Sequence, residues 1–274
     1  MAFTDDQLER YSRHLILKEI GVRGQKKLLA ARVLVIGAGG SGLAAAITLQ
    51  EQGIETLVVD TIGIVDDDVV DLSNLQRQII HGTGNVGMPK VESAAETVTS
   101  INPDVTVKPY HIRVSAGNIA ELIAGYDVIV DAADNFSTKF LINDACVLAG
   151  KPYIYGGALR FEGQLMTYVP GRGPCYRCIF RDMPAAGEVP SCKEAGVLGA
   201  VVGVIGSMQA VEAVKLILGV GKPLTARLMT FDALAMTCRA VPLPEREPDC
   251  PVCGEHPTIT TLDPARYIQP ACGV

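Results

Sequence analysis

Basic charge is scarce in this sequence: 24 Lys and Arg stand against 30 Asp and Glu, a net charge of −6. A general nucleic-acid binder needs the opposite balance, because its affinity comes from cations that displace phosphate counterions. Histidine is scarce too. Only His14, His81, His111 and His256 occur, and none stands in a motif that marks a catalytic acid or base. The start, Met1-Ala2-Phe3-Thr4-Asp5-Asp6, is acidic and lacks the basic-then-apolar order of a secretory leader. The most apolar region, 196–221, is interrupted by Gln209, Glu212 and Lys215, which predicts a buried helix rather than a bilayer span. Internal repeats and low-complexity linkers are missing as well. These absences point to a single cytoplasmic domain with neither a membrane nor a nucleic acid as partner.

What is present suffices for a large core: 274 residues, 48% of them hydrophobic. Residues 4–30 carry helical periodicity and predict a helical arm. Arg32–Ile36 is a short β-branched run that predicts a buried strand, followed by glycines and an alanine-rich helix over Leu43–Gln52. Further strands are predicted within Thr56–Val65 and at Val105–Tyr110, Asp127–Asp131, Tyr153–Tyr155 and Ala226–Phe231. Helices are predicted at Lys90–Ser100, Ile119–Ala124, Lys139–Ala149 and 197–219. This alternation implies an α/β fold, a doubly wound, Rossmann-like and mostly parallel sheet. Past residue 156 the character changes, and Gly, Pro and Cys gather between 170 and 196.

The first predicted strand runs into Gly37-Ala38-Gly39-Gly40-Ser41-Gly42. The pattern Gly37-x-Gly39-x-x-Gly42 permits a tight turn, close approach of backbone to phosphate, and close helix–strand packing. The helix start beyond it offers free amides to an anion. A nucleotide is implied, with a nicotinamide dinucleotide as the default. A ribose-binding acid is expected about 20 residues on, which fits Asp60, while Asp66 and Asp68 compete.

Eight cysteines in such a chain suggest metal or thiol chemistry. Cys175 and Cys178, and Cys250 and Cys253, form two CxxC pairs whose spacing suits one tetrahedral four-sulfur zinc site. Such a site has no open position, so the metal is structural and ties the tail to the body. Cys192 lies beside Lys193 in a loop before the apolar helix, where a thiol pKa can fall. A spare loop cysteine is the competing reading.

Several motifs follow one another in order: Arg10-Tyr11-Ser12-Arg13, Gly37–Gly42, Ser73-Asn74-Leu75-Gln76-Arg77-Gln78, Gly87-Met88-Pro89-Lys90, Asp131-Ala132-Ala133-Asp134-Asn135, the CxxC pairs and Cys192-Lys193-Glu194-Ala195-Gly196. Together they resemble the MoeB/ThiF family, relatives of the ubiquitin-activating enzymes, over about residues 9–254. The resemblance implies ATP and Mg2+ rather than NAD. It implies adenylation of the C-terminal glycine of a ubiquitin-like sulfur-carrier protein ending in Gly-Gly, by a homodimer with a zinc-bearing lobe. It divides one domain into an arm (1–30), a nucleotide-binding half (31–155), a carrier-binding half (156–254) and a tail (255–274). By the same resemblance Arg77 and Lys90 hold the triphosphate, Arg13 reaches across the dimer, and Asp134 holds Mg2+. Ser73, Asn74, Leu75, Gln76 and Arg77 line the nucleotide pocket with Asn135, and Gly40 touches phosphate. The family's ribose acid stands eight positions before the motif asparagine, which selects Asp66 over Asp60. Cys192 matches a thiol that links covalently to the carrier in some members and is dispensable for adenylation in others. The chain stops at Val274 without a rhodanese-like extension, so a separate sulfur donor is expected. Thiamine, molybdopterin and tRNA thiolation pathways are not distinguished.

Three other readings compete. A NAD-dependent oxidoreductase would use the same glycine loop but would leave Arg77 and Lys90 without purpose. A zinc-stiffened scaffold would bind a carrier without chemistry. A relative that dehydrates a tRNA adenosine usually lacks the zinc pairs.

Overall fold

A computed structural model describes residues 3–39, 59–185, 188 and 192–268. The N-terminal arm is divided into α1 (Asp5–Arg10), α2 (Ser12–Leu15) and α3 (Gly21–Leu28) rather than one long helix. Thr4 and Gln7 close a capping box at the start of α1. Gly21, the first residue of α3, has φ of +54° and so separates this helix from the run before it.

Among the described residues, eight strands form one sheet: β1 (Arg32–Ile36), β2 (Thr61–Val65), β3 (Thr106–Tyr110), β4 (Val128–Asp131), β5 (Tyr153–Leu159), β6 (Glu162–Tyr168), β7 (Arg227–Asp232) and β8 (Thr237–Pro242). Their order is β3-β2-β1-β4-β5-β6-β7-β8. The pairings from β3 to β5 are parallel, and those from β5 to β8 are antiparallel. The expected doubly wound, mostly parallel sheet is therefore present. Strands β6 and β8 are additions that the sequence reading missed. The predicted helix over Leu43–Gln52, and Thr56–Leu57–Val58 of the second predicted strand, lie outside the described residues.

The other α-helices among the described residues are α4 (Lys90–Ile101), α5 (Ile119–Ala124), α6 (Phe136–Leu148), α7 (Tyr176–Ile179), α8 (Cys192–Ala195) and α9 (Gly199–Leu218). Alternate residues of β1 feed the two faces of the sheet, as a period of two requires. Val33 and Val35 join Val91, Val98 and Ile205 of α4 and α9, whereas Leu34 and Ile36 join Ile119, Phe140 and Cys175. Helix α9 is long and apolar enough to cross a bilayer by length and composition. It lies instead against the sheet, as the buried Gln209 and Glu212 require. Gln209 Nε2 donates to the Asp131 carbonyl at 2.7 Å, and Glu212 accepts from the Thr167 hydroxyl at 2.5 Å. Gly156 permits this contact, since a Cβ there would meet the Gln209 amide at 2.5 Å.

Strands β3, β2, β1 and β4 run parallel, so β1 and β4, neighbours on either side of the order reversal, open a crevice at their C-terminal ends. Gly37 and Ala132 meet there. Ala132 N–H donates to the Ile36 carbonyl at 2.9 Å. A Cβ on Gly37 would stand 2.6 Å from the Ala132 carbonyl oxygen, and φ of +100° also demands glycine.

Candidate functional site

The loops after β1, β2 and β4 converge at this crevice. Asp66 directly follows β2, and its carboxylate accepts from Ala38 N–H at 2.6 Å and from Asp68 N–H at 2.8 Å. Asp66 thus reads the backbone of the glycine loop. Burial pushes its carboxyl above the usual range, against the opposing pull of Lys90 and the two amides. Asp60 precedes β2 and lies at the other end of the strand, where its carbonyl accepts from Thr106 N–H at 3.0 Å. Six residues of extended chain put about 20 Å between the two acids. Only Asp66 adjoins Gly37 and Gly39. Gly40 and Gly42 lie outside the described residues.

Asp68–Val70 and Gly87–Lys90 run beside each other as a short antiparallel ladder. Val70 N–H donates to the Met88 carbonyl at 2.8 Å, and Lys90 N–H to the Asp68 carbonyl at 3.0 Å. The ladder fixes Lys90 at the start of α4. Its side chain is buried, and its ammonium pairs with the exposed Asp68 carboxylate at 2.7 Å.

Asp71 caps the turn that follows, accepting from Ser73 N–H at 2.8 Å. Residues Leu72–Asn74 form one 3-10 turn, and the Asn74 carbonyl accepts from Arg77 and Gln78 N–H at 3.1 and 3.0 Å. The Arg77 guanidinium bonds the Ser73 carbonyl at 3.2 Å, which folds the arginine back over Ser73. Leu75 is half-buried and Gln76 exposed. The turn rests on the start of α9, because a Cβ on Gly199 would meet the Gln76 carbonyl at 2.6 Å.

Beyond β4, Asp134 is exposed and has no partner among the described residues. Its free carboxylate, on a loop at the crevice, suits a hydrated divalent cation such as Mg2+. Asn135 has a structural task as well, since its Oδ1 caps α6 by accepting from Thr138 N–H at 2.9 Å. Sequence reading missed what holds this loop. Asp131 is buried and pairs with Lys139 of α6 at 3.3 Å, and Lys139 also donates to the Gly156 carbonyl at 2.8 Å. Asp131 further accepts from Ala133 N–H at 3.0 Å, which sets the turn leading to Asp134. Burial pushes the Asp131 carboxyl up, against Lys139. The available clue was an acid and a lysine eight residues apart across a strand-to-helix turn.

Arg13 does not join this cluster within one chain. It is exposed on α2, and its neighbours Arg10 and Tyr11 bond the Ile101 carbonyl and the Asp104 carboxylate, at the opposite end of β3. Exposed Leu8, Ile16, Leu17 and Val22 surround it in sequence. Cys192 opens the one-turn helix α8. The next residues are tied to the body where Arg160 exchanges backbone hydrogen bonds with Gly196 and Leu198 at 2.9 Å.

The two cysteine pairs do meet. Sulfur atoms of Cys175 and Cys178 are 3.9 Å apart, Cys175 and Cys250 3.6 Å, and Cys178 and Cys253 3.4 Å. Four thiolates around one zinc at a bond length of about 2.3 Å lie about 3.8 Å from one another, so the cluster is compatible with zinc. The first pair is anchored independently of metal. Arg177 makes a two-pronged ion pair with buried Asp144 at 2.7 and 2.8 Å, and Asn143 accepts from Tyr176 N–H at 2.9 Å.

Comparison with known proteins gives a consistent result. The family model described as ThiF family matches residues 11–252. The SAMP-activating enzyme E1 of Haloferax volcanii is 51% identical over 268 residues, covering 98% of this chain and 96% of that protein. The sulfur carrier protein adenylyltransferase of Thermus thermophilus is 43% identical, covering 94% and 95%. Adenylyltransferase and sulfurtransferase MOCS3 of Bos taurus is 46% identical, and this chain spans 56% of its length. Among solved structures, E. coli MccB superposes with a TM-score of 0.77 at 23% identity, over 91% of this chain and 76% of that one, a likeness of fold.

Proposed function

The chain belongs to the ThiF family, and from that premise we propose that it is an ATP-dependent adenylyltransferase acting on a ubiquitin-like sulfur-carrier protein. The observation that carries the reading is the convergence of Gly37, Asp66, Lys90 and the Asp131–Asp134 turn on one crevice. In this reading an oxygen of the carrier's C-terminal glycine carboxylate attacks the α-phosphorus of ATP. The bond from that phosphorus to the bridging oxygen breaks, pyrophosphate leaves with the electron pair, and the carrier becomes an acyl adenylate.

A carboxylate approaching a triphosphate meets like charge, so cations and amides must be in place beforehand. Lys90 and Arg77 supply the cations, and the glycine loop supplies the amides. Asp66 accepts the ribose hydroxyls, while Ser73–Gln76 and Asn135 line the pocket. Asp134 would hold Mg2+, which supplies charge neutralisation at the phosphates. Residues 31–155 serve the nucleotide and 156–254 the carrier, and Cys192 is the thiol that would link to it. Arg13, remote within its own chain and flanked by exposed apolar residues, acts in the site of a second copy. The reduced four-cysteine cluster, loaded with zinc, suits the cytoplasm.

The test is ATP–pyrophosphate exchange with a carrier ending in Gly-Gly. Carrier-dependent exchange is expected. Exchange that ignores the carrier, or no exchange with any such carrier, refutes the proposal.

A further inference from the structure

Gln209 is fully buried in the middle of α9, yet the mechanism above does not use it. Its amide nitrogen serves two neighbouring strands. Nε2 donates to the Asp131 carbonyl of β4 at 2.7 Å and to the Ile154 carbonyl of β5 at 3.2 Å. Gly156 leaves the space in which that amide lies, since a Cβ there would meet it at 2.5 Å. Asp131 in turn opens the turn toward Asp134. Its carboxylate accepts from Ala133 N–H at 3.0 Å and pairs with Lys139 at 3.3 Å. Ala132, next in the chain, sets its carbonyl oxygen 2.6 Å from where a Cβ on Gly37 would stand. The Gln209 amide therefore grips the backbone from which the Asp134 turn departs. The same helix supports the other side of the crevice. About 15 Å back along its axis, Gly199 lies beneath the Gln76 carbonyl and Arg77 Cα.

We infer that Gln209 is a positioning residue for the nucleotide site: its amide ties the Asp131–Asp134 turn to α9, the helix on which the Arg77 turn rests, and so fixes the spacing of the two. The inference rests on the reading of this crevice as an ATP site. Phosphates met by Arg77 on one side and by the Asp134 turn on the other need both at a set separation. One rigid helix, in backbone contact with each, supplies it. An apolar residue of the same length would fill the volume, as its neighbours on α9 do, but would not hold the Asp131 carbonyl. Gln209 touches no reacting atom, so it governs ATP affinity rather than the chemical step.

Two variants break the contact from opposite sides. Gln209→Met keeps the length of the side chain and removes the donor, whereas Gly156→Ala keeps the donor and pushes it aside. Calorimetry of the full-length protein with Mg2+ and a non-hydrolysable ATP analogue reads affinity. Pyrophosphate exchange with a Gly-Gly carrier separates KM from kcat. Each variant should bind the analogue about fivefold to tenfold more weakly than wild type. The KM for ATP should rise by a similar factor, with kcat and the KM for the carrier within about twofold of wild type. The double variant should lose little beyond either single, because both break one contact. Wild-type affinity in a folded Gln209→Met protein, whatever its melting temperature, overturns the inference. So does a fall in kcat at unchanged KM for ATP, or a double variant whose loss is the sum of the singles. If the Met variant fails to fold, Gly156→Ala decides on affinity and KM in its place. Failure of wild type to bind the analogue would count against the ATP-site reading itself.

Discussion

Gly199 and Gln76 touch so closely that no side chain fits between them: a Cβ on Gly199 would lie 2.6 Å from the Gln76 carbonyl oxygen and 3.2 Å from Arg77 Cα. The first turn of α9 is therefore a floor beneath the turn that carries Arg77. Both close neighbours are backbone, so an added methyl cannot be accommodated by a rotamer change. Alanine should gain up to about 1 kcal/mol in helix propensity at this position. Displacing the turn should cost about 1–3 kcal/mol. Gly199→Ala is expected to raise the KM for ATP several-fold, with a smaller change in melting temperature. Steady-state exchange at varied ATP measures this, and an unchanged KM would show that the turn yields freely.

The two candidate ribose acids separate cleanly. Asp66 adjoins the glycine loop, and Asp60 sits at the far end of β2. Losing a charged hydrogen bond costs about 1.5–3 kcal/mol, or roughly 10- to 150-fold in affinity. Asp66→Ala should weaken ATP binding by that factor, whereas Asp60→Ala should leave it within about twofold. Calorimetric titration with an ATP analogue distinguishes them, and the reverse pattern would reassign the acid.

This choice shows how the sequence spoke. Strands β1, β2, β4 and β5 were legible because each carries a short apolar run between turns, and the topology follows from their alternation with helices. Strands β6 and β8 were not, because Glu162, Gln164 and Thr167, or Thr237 and Arg239, break any apolar run. They form only by antiparallel pairing with β5 and β7. Asp66 emerged by counting back from Asn74, since spacing from the glycine loop alone favoured Asp60. The four cysteines were legible from spacing. Lys139 was not, because its role is set by contacts that only the folded turn brings together, with Asp131 and the Gly156 carbonyl.

The Asp131–Lys139 pair predicts a strong dependence of each residue on the other. Removing one member of a buried ion pair strands the other charge, at about 3–5 kcal/mol. Lys139→Met should lower the melting temperature by several degrees and weaken analogue binding. Adding Asp131→Asn should recover much of the stability by removing the stranded charge. Thermal denaturation of both singles and the double completes the cycle. A Lys139→Met protein as stable as wild type would mean that the pair contributes nothing.

The cysteine cluster predicts about one zinc per chain, measured by elemental analysis of protein purified without added metal. Cys250→Ser should lose most of that zinc and several degrees of melting temperature. Cys146→Ser, at a buried cysteine outside the cluster, should retain full zinc. Zinc retained in the Cys250 variant would place the metal elsewhere.

The central claim is that a carrier's terminal glycine is adenylated in the crevice at the ends of β1 and β4. Intact-mass analysis of a Gly-Gly carrier after incubation with this protein, ATP and Mg2+ tests it directly. A carrier heavier by one adenylyl group on its terminal glycine, absent when Lys90→Ala replaces wild type, is the predicted result. An unmodified carrier with the folded wild-type protein, or adenylation that persists undiminished in the Lys90 variant, would contradict it.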